Sequence, residues 1–351
     1  MNIARTRLTP YALPLLRQWQ AGGTGFTTRR GWLLELEAAN GTIGYGDCAP
    51  LPSHGTETGP TAHTTLQSTL PELTRISPEQ GLEQLPEPAS TPAARCALES
   101  ALLDLLSKQQ GLPLHRWLNP ESNARVKVNA SIGILDDVAL KRARTALEHG
   151  YSTLKLKIGS PDPEHEIQQL RHLCATLPEG VQLRLDANRA WDTSTAKSYL
   201  KQLQGLPIES LEEPLAQADI DSLIRLQNES DITLALDETT AQLSIDDLPQ
   251  LTPLHRLILK PMVQGGLLPC MQLGRRALEL GIDVVVTSTV DSAAGVWAAT
   301  QVADALDTTG KLCHGLGTGE WLQHDLGACP EINKGRIKLP EIPGLGFTPS
   351  G

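Results

Sequence analysis

Short aliphatic segments alternate with amphipathic segments from residue 126 onward. Each unit contains a run of Val, Leu and Ile, a turn, and then a stretch with the periodicity of an amphipathic helix. Such repetition is typical of βα units and predicts parallel strands covered by helices. The predicted strands recur at intervals of about 25 to 30 residues, and they are residues 126–132, 153–158, 182–185, 210–212, 233–236, 257–259, 283–288 and 312–315.

Glycine directly follows three of the helices predicted between these strands, as expected where a helix ends in a left-handed conformation. The helices and their glycines are 135–149 with Gly150, 193–204 with Gly205, and 267–280 with Gly281. Eight strands suit a closed barrel, and the first strand lacks the glycine-rich turn that usually opens a doubly wound sheet. We therefore predict an α/β fold, a modified (β/α)7β barrel of the TIM type, with the open sheet as the alternative.

The N-terminal part of the chain has a different pattern, in which sheet precedes helices. Two predicted strands, 32–38 and 42–46, flank Asn40-Gly41, which is the strongest short signal for a β-hairpin. Segment 94–107 then carries apolar residues at helical spacing. Sheet followed by helices predicts an α+β domain.

Two domains follow from this change of pattern. We predict an α+β domain of residues 1–120, completed by residues 321–351, and a barrel of residues 121–320. The loops near residues 22–25 and 53–58 are expected to form a lid over the site.

Composition and charge narrow the classes of partner. Hydrophobic residues make up 40% of the chain and charged residues 20%, as in an ordinary globular protein. The net charge is −10 and the basic residues are scattered, which argues against nucleic-acid binding.

No apolar run approaches the roughly 18 residues of a membrane span, and no signal core is evident, so we expect a cytoplasmic protein. Six cysteines without a C-x-x-C pair indicate reduced thiols.

Three consecutive predicted strands end in a carboxylate. Asp186, Glu212 and Asp237 stand at these ends, and in a barrel the carboxyl ends of the strands meet at one mouth. Their mutual repulsion predicts a divalent cation among them, and hard oxygen ligands favour Mg²⁺. Any one of them alone is more typical of a helix N-cap than of a metal ligand.

Lysines stand on the strands that flank these carboxylates. Alternation places Lys155 and Lys157 on the same face of the second strand, whereas Lys260 ends the sixth. Two ammonium groups inside a barrel are costly, so a solvated edge strand is the alternative. A substrate carboxylate bound to Mg²⁺ would have its α-carbon between Lys157 and Lys260, which suits removal of the neighbouring proton.

Together these strand-end motifs resemble those of the enolase superfamily, in its muconate-lactonising subgroup. The motifs K-x-K, D-A-N, E-E-P, D-E and K-P follow in that order between residues 155 and 260. Segments 27–31, 45–52 and 97–105 are similar to the capping domain of the o-succinylbenzoate synthases. The resemblance therefore covers nearly the whole chain.

The resemblance implies a role for each of these residues. Asp186, Glu212 and Asp237 would bind Mg²⁺, with Mn²⁺ as an alternative ion. Lys157 would be the acid and base, and Lys260 would face the intermediate as a cation. The substrate would be a small-molecule carboxylate, and the sequence leaves monomer or homo-oligomer open.

The resemblance also implies residues that hold the substrate. Lys155 would hold the substrate carboxylate, and Asn188 would buttress the metal end of the site, although a turn asparagine is an equally good interpretation. Thr287, Thr289 and the backbone of Gly315 would contact the succinyl arm. The threonines could equally belong to a polar strand end.

The reaction implied is a syn elimination of water from 2-succinyl-6-hydroxy-2,4-cyclohexadiene-1-carboxylate, which gives o-succinylbenzoate for menaquinone or phylloquinone synthesis. Lys157 would remove the α-proton and return it to the departing hydroxyl on the same face.

One departure from the family's pattern is Asp291, where the family usually has glutamate. His314 we interpret as structural.

Two rival functions remain open on the sequence. Racemases and epimerases of the subgroup use the same two lysines to exchange a proton between opposite faces. Gly315-Leu316-Gly317 lacks the aspartate pair of dipeptide epimerases, which disfavours that activity but leaves N-succinylamino acid racemisation. A barrel without catalysis, kept as a binding module, is disfavoured by the intact lysines and carboxylates.

Overall fold

The computed structural model describes residues 1–21 and 24–350, and its N-terminal part is an antiparallel sheet packed on helices. Its elements are β1 (Ile3–Ala21), β2 (Thr24–Ala38), β3 (Ile43–Cys48), α1 (Gly59–Leu73), α2 (Pro78–Glu83), α3 (Pro92–Gln109) and α4 (Leu114–Leu118). The predicted hairpin is confirmed as the antiparallel pair β2 and β3. Residues 22 and 23 of the predicted lid loop near residues 22–25 lie outside the described part.

Strand β1 is one of the elements that the sequence did not predict in this part, together with helices α1, α2 and α4. It pairs with β2 along most of its length, and the register shifts between Pro14 and Trp19. Pro10 and Pro14 lie inside β1. Proline lacks the N–H that a strand ladder needs, so it argues against a strand in the sequence, and it is tolerated here because β1 is an edge strand.

The C-terminal part alternates strands and helices as predicted. Its elements are β4 (Arg125–Val128), β5 (Ala130–Ile134), α5 (Ala139–Glu148), β6 (Thr153–Lys157), α6 (Pro163–Thr176), β7 (Gln182–Asp186), α7 (Thr193–Leu203), β8 (Ile208–Glu212), α8 (Ile220–Asn228), β9 (Thr233–Leu236), β10 (Arg256–Leu259), α9 (Leu267–Glu279), β11 (Asp283–Val286), α10 (Ala293–Leu306), β12 (Cys313–His314), β13 (Ile332–Asn333) and β14 (Arg336–Lys338). Strands β5 to β11 form a parallel sheet in chain order. Short 3₁₀ helices, Glu238–Gln242 and Ile245–Leu251, connect β9 to β10.

Strand β12 joins the two edges of this curled sheet. It pairs in parallel with β4, which leads into β5, and Gly315 after it bridges to Thr287 after β11. The predicted α/β barrel with a separate antiparallel cap is therefore confirmed, and the open sheet is excluded. The first predicted strand, 126–132, is in fact two strands that part at Asn129, whose N–H donates to the carbonyl of His314.

The three predicted helices end one residue before their predicted limits, and α7 and α9 begin where predicted, whereas α5 begins later. Helix α5 ends two residues before Gly150, which has a φ of 81°. It begins at Ala139 rather than at 135, because the carboxylate of Asp136 accepts the N–H of Val138 and binds Arg142, which holds the preceding residues as a turn.

The residues after 321 contact both parts of the chain. Strand β14 pairs antiparallel with β4, the N–H of Leu345 donates to Asp104 on α3, and the N–H of Gln323 donates to the carbonyl of Pro14. The domain boundaries stay a prediction. Across the described residues, the helices are too short or too polar to cross a membrane.

Candidate active site

Three carboxylates lie at the carboxyl ends of neighbouring strands. Asp186 ends β7, Glu212 ends β8, and Asp237 directly follows β9. All three are buried, with 3%, 3% and 8% of their surface exposed. Asp186 is in register with Glu212 and also with Lys157 on β6. Parallel pairing therefore brings these side chains to one level at the mouth of the barrel.

Lys155 and Lys260 contact the carboxylates directly. The Nζ atom of Lys155 lies 2.6 Å from Oε1 of Glu212 and 3.0 Å from Oδ2 of Asp186. Lys260, which directly follows β10, places its Nζ atom 2.6 Å from Asp237. The mouth of the barrel is thus filled by ion-paired side chains of alternating charge rather than by apolar side chains.

Burial and these ion pairs shift the pKa values in opposite directions. Burial lowers the pKa of Lys155, but Asp186 and Glu212 outweigh it and raise the pKa above its usual value. Burial also lowers the pKa of Lys260, but the charge of Asp237 and its hydrogen bond to Lys260 outweigh burial and raise this pKa. Burial and the Asp186 carboxylate raise the pKa of Glu212 well above its usual range. The carboxylates therefore keep Lys155 and Lys260 protonated, whereas Glu212 binds a proton more tightly than an ordinary glutamate does.

Lys157 has different surroundings from the other two lysines. Its Nζ atom lies 5.0 Å from the centre of the Trp19 ring, which comes from β1 of the cap. Burial and the neighbouring ammonium of Lys155 lower the pKa of Lys157, against the opposing effect of Asp186. A buried amine with a lowered pKa is suited to accept a proton.

Asn188 and Glu238 lie beside the carboxylates. Asn188 has a φ of 43°, as in a turn, and its Nδ2 atom donates to Oε1 of Glu238 at 3.4 Å. Its N–H also donates to Oδ1 of Asp186 at 3.1 Å. Burial and Asp237 raise the pKa of Glu238 to about 7, and its Oε2 atom is buried without a hydrogen-bond partner. Asn188 is therefore both a turn residue and a contact of the acidic end.

A small cavity of about 90 Å³ lies above these side chains. It is lined by Lys155, Lys157, Asp186, Asn188, Asp237, Lys260, Thr287 and Gly315 among the predicted site residues. Glu212 contacts Lys155 beneath it. Thr289 does not line the cavity. It is buried, and its hydroxyl donates to Asp291. The structure thus gathers every predicted residue except Thr289 at one place.

The cavity has further lining residues besides the predicted catalytic, metal-binding and substrate-binding residues. Trp19 comes from β1 and Trp321 from the segment after β12, whereas His54 lies in the loop 53–58 that was predicted as part of a lid. Asn129 lies at the break between β4 and β5, and Ser131 lies on β5. Burial and Lys260 lower the pKa of His54 to about 4, so this ring is neutral at physiological pH. An adjoining groove of about 1160 Å³ shares part of this lining.

The donor set fits a hard divalent cation. Asp186, Glu212 and Asp237 offer carboxylate oxygens, and Glu238 adds an unpartnered buried oxygen nearby. Among the residues that the structure describes, no three acidic, histidine or cysteine side chains are already arranged to hold a metal ion. The carboxylates instead turn to Lys155 and Lys260, so binding requires them to turn toward the ion.

Comparison with known proteins gives related enzymes with different activities. An N-succinyl-L-Arg/Lys racemase of Bacillus cereus is 24% identical over 99% of this chain and 95% of that protein. An o-succinylbenzoate synthase of Desulfotalea psychrophila is 32% identical over 67% of this chain and 64% of its own length. A solved dipeptide epimerase from Methylococcus capsulatus, complexed with Mg and the dipeptide L-Arg-D-Lys, is 27% identical, with a TM-score of 0.88 and 99% of both chains covered.

The family itself is shown by a match to a whole-domain model. The model described as "Enolase C-terminal domain-like" matches residues 138–351, which include strands β6 to β12 and every strand-end carboxylate. Because this match covers more than half of the chain, the protein belongs to the enolase superfamily.

Proposed function

We propose that this protein is an o-succinylbenzoate synthase, a lyase that eliminates water from 2-succinyl-6-hydroxy-2,4-cyclohexadiene-1-carboxylate. The observation that carries the proposal is the position of Lys157 and Lys260 on either side of three strands that end in carboxylates. An amine on each flank of a bound carboxylate suits removal of its α-proton. The 32% identity with the Desulfotalea psychrophila synthase supports this particular elimination.

Asp186, Glu212 and Asp237 would hold Mg²⁺, with Mn²⁺ as an alternative ion. When bound, the ion supplies positive charge that stabilises the enolate oxygens of the reacting carboxylate. The Methylococcus capsulatus epimerase, which is complexed with Mg, supports the choice of ion. Asn188 would brace this end of the site through Glu238 and Asp186.

Lys157 would act twice in the elimination. Its neutral amine takes the α-proton, so the C–H bond breaks and the electron pair stays on the substrate. The C–O bond then breaks as the same Nζ atom returns the proton to the departing hydroxyl, which leaves as water and makes the ring aromatic. Lys260 would face the intermediate as an ammonium, and Lys155 would hold the substrate carboxylate.

Thr287 and Gly315 would contact the succinyl arm at the rim of the cavity. A Cβ atom at Gly315 would lie 2.5 Å from Oγ1 of Thr287, so a larger residue there would close this part of the rim. Thr289 would act on the arm only indirectly, because its hydroxyl donates to Asp291 and neither residue lines the cavity. The adjoining groove gives room for the arm.

N-succinylamino acid racemisation is the second candidate. It is favoured by the Bacillus cereus racemase, which aligns over 99% of this chain. The same two lysines would serve it, with one removing a proton and the other delivering one to the opposite face.

One experiment separates the two functions. The purified protein with Mg²⁺ is incubated with the cyclohexadiene substrate and, in parallel, with N-succinyl amino acids in D₂O. A synthase forms the aromatic product with a higher kcat/KM than it exchanges α-protons. Exchange and racemisation without aromatisation would contradict the synthase and favour the racemase.

A further inference from the structure

Glu213 is a buried carboxylate next to the proposed metal ligands that has no role in the proposed mechanism. It directly follows Glu212, it has 0% of its surface exposed, and its φ is 41°. A residue other than glycine keeps this left-handed conformation where its surroundings impose it, and such residues concentrate at functional sites. The contacts of Glu213 therefore indicate what its strained position achieves.

Both oxygens of Glu213 accept hydrogen bonds from the end of the next strand. Its Oε1 atom accepts the backbone N–H of Asp237 at 2.8 Å and that of Thr239 at 2.7 Å. Its Oε2 atom accepts the hydroxyl of Thr239 at 3.0 Å and Nε of Arg189 at 3.1 Å. The side chain thus fixes the backbone at Asp237, although it never touches the Asp237 carboxylate.

Arg189 extends this network to a third strand. It lies in the turn after β7, its N–H donates to the carbonyl of Glu213 at 2.7 Å, and its Nη2 atom donates to Thr239 at 3.0 Å. The ends of β7, β8 and β9 are therefore tied together by one buried carboxylate and one guanidinium. Each of these three ends carries one of the proposed metal ligands.

We infer that Glu213 is a positioning residue for the metal site. It sets the separation of the Glu212 and Asp237 carboxylates by holding the Asp237 backbone against the end of β8. The inference rests on the proposed function, because it takes Mg²⁺ as the ion that these carboxylates hold. Partners that orient metal ligands typically contribute about 10- to 100-fold to metal affinity.

The test is calorimetric titration of Mg²⁺ into the metal-free full chain. Glu213→Gln keeps the shape but leaves one oxygen in place of two, so it cannot accept all four hydrogen bonds. We expect Mg²⁺ to bind at least about tenfold more weakly to this variant, with an unchanged circular dichroism spectrum.

Glu209→Gln is the matched control. Glu209 lies at the opposite end of the same strand, about 13 Å away along β8, and its carboxylate binds Arg184 and Arg256. This variant should melt at a lower temperature and bind Mg²⁺ as the wild type does. If Glu213→Gln fails to fold, Arg189→Met, which removes only the partly exposed guanidinium, should weaken Mg²⁺ binding in the same direction.

The outcomes separate the inference from the proposed function. Unchanged affinity in folded Glu213→Gln, or in Arg189→Met as its substitute, would overturn the inference and leave the metal site standing. Equal weakening in Glu209→Gln would also overturn it, because the effect would then be a general loss of stability. A wild-type protein that binds no Mg²⁺ would overturn the metal site itself.

Discussion

Lys157 and Lys260 are chemically alike but lie in different surroundings. Lys260 is paired with Asp237 at 2.6 Å, and this pairing raises its pKa despite burial. Lys157 lies against Trp19, and burial together with Lys155 lowers its pKa. Lys157 therefore gives up its proton more readily, which fits the base of the proposed elimination, whereas Lys260 fits a fixed cation.

Replacing Lys157 tests this assignment at the level of one side chain. Lys157→Ala should lower kcat by at least about 10²- to 10⁴-fold, the usual contribution of a general acid and base. Mg²⁺ affinity by calorimetry and the circular dichroism spectrum should stay unchanged. The control is Lys197→Ala at an exposed ion pair on α7, which should keep wild-type kcat. A turnover number unchanged in Lys157→Ala would refute its role.

The sequence predicts site residues on strand ends but not those from elsewhere. Asp186 and Lys260 are predictable, because the ends of parallel strands meet at one mouth whatever the loops do. Trp19, His54 and Trp321 line the same cavity but lie in the edge strand β1 and in the short 3₁₀ helices Pro52–His54 and Thr318–Trp321. No periodicity or spacing marks such positions, since only the packing of distant segments brings them together.

Strand β3 and helix α3 pack with their backbones in close approach. A Cβ atom at Gly46 would lie 1.9 Å from the carbonyl oxygen of Ala97, and one at Gly44 would lie 2.2 Å from that of Ala101. Two glycines on alternate positions of β3 therefore let the central helix of the cap lie directly on the sheet.

A methyl group added at Gly46 should push helix α3 away from strand β3. Gly46→Ala should lower the free energy of unfolding by about 1–3 kcal/mol or more, because the backbone of α3 must move. Chemical denaturation with urea measures the change. Gly59→Ala at the start of α1 is the control, since its Cβ atom would only reach ordinary contact with Trp32 at 3.8 Å. Equal stability of the Gly46 and Gly59 variants would show that the contact is not tight.

The order of the elements follows from the sequence better than their exact limits. The βα repeat and its glycine stops predict the barrel and the ends of its helices. The break at Asn129 was not predicted, because β4 leaves the main sheet to pair with β14 from the C-terminus, a contact about 200 residues away in the chain. Tertiary pairing of this kind overrides any local pattern.

The cap and the barrel meet at a buried charged cluster. Arg29 on β2 donates to the carbonyls of Pro50 and Val290, and its guanidinium lies 3.9 Å from Asp291. Asp47 on β3 accepts the hydroxyl of Tyr11 at 2.6 Å and the N–H of Ser292 at 3.0 Å. Two buried carboxylates thus lie in the same cluster as one guanidinium, which is paired with Asp291.

The excess of buried carboxylates over buried cations in this cluster predicts that stability depends on pH. Burial and Asp291 raise the pKa of Asp47 to about 7, above its ordinary value of 3.8. The folded state therefore binds this proton more tightly than the unfolded state. Its contribution to stability is complete below the unfolded pKa and is lost as pH rises through about 7, at up to about 1.4 kcal/mol per pH unit.

Removal of the titrating group should flatten this profile. Urea unfolding of the wild type and of Asp47→Asn is compared between about pH 4.5 and pH 7.5. The slope of the unfolding free energy against pH should be more negative for the wild type than for the variant. Identical slopes would show that the Asp47 carboxyl does not titrate in this range.

At the scale of the whole molecule, the proposed function depends on one ion held between three strands of the barrel. The most direct measurement is the rate of aromatisation of the cyclohexadiene substrate by purified protein before and after removal of divalent ions with EDTA. We predict turnover with Mg²⁺, its loss in EDTA, and its recovery when Mg²⁺ or Mn²⁺ is added back. Aromatic product formed at an undiminished rate in EDTA would contradict the account.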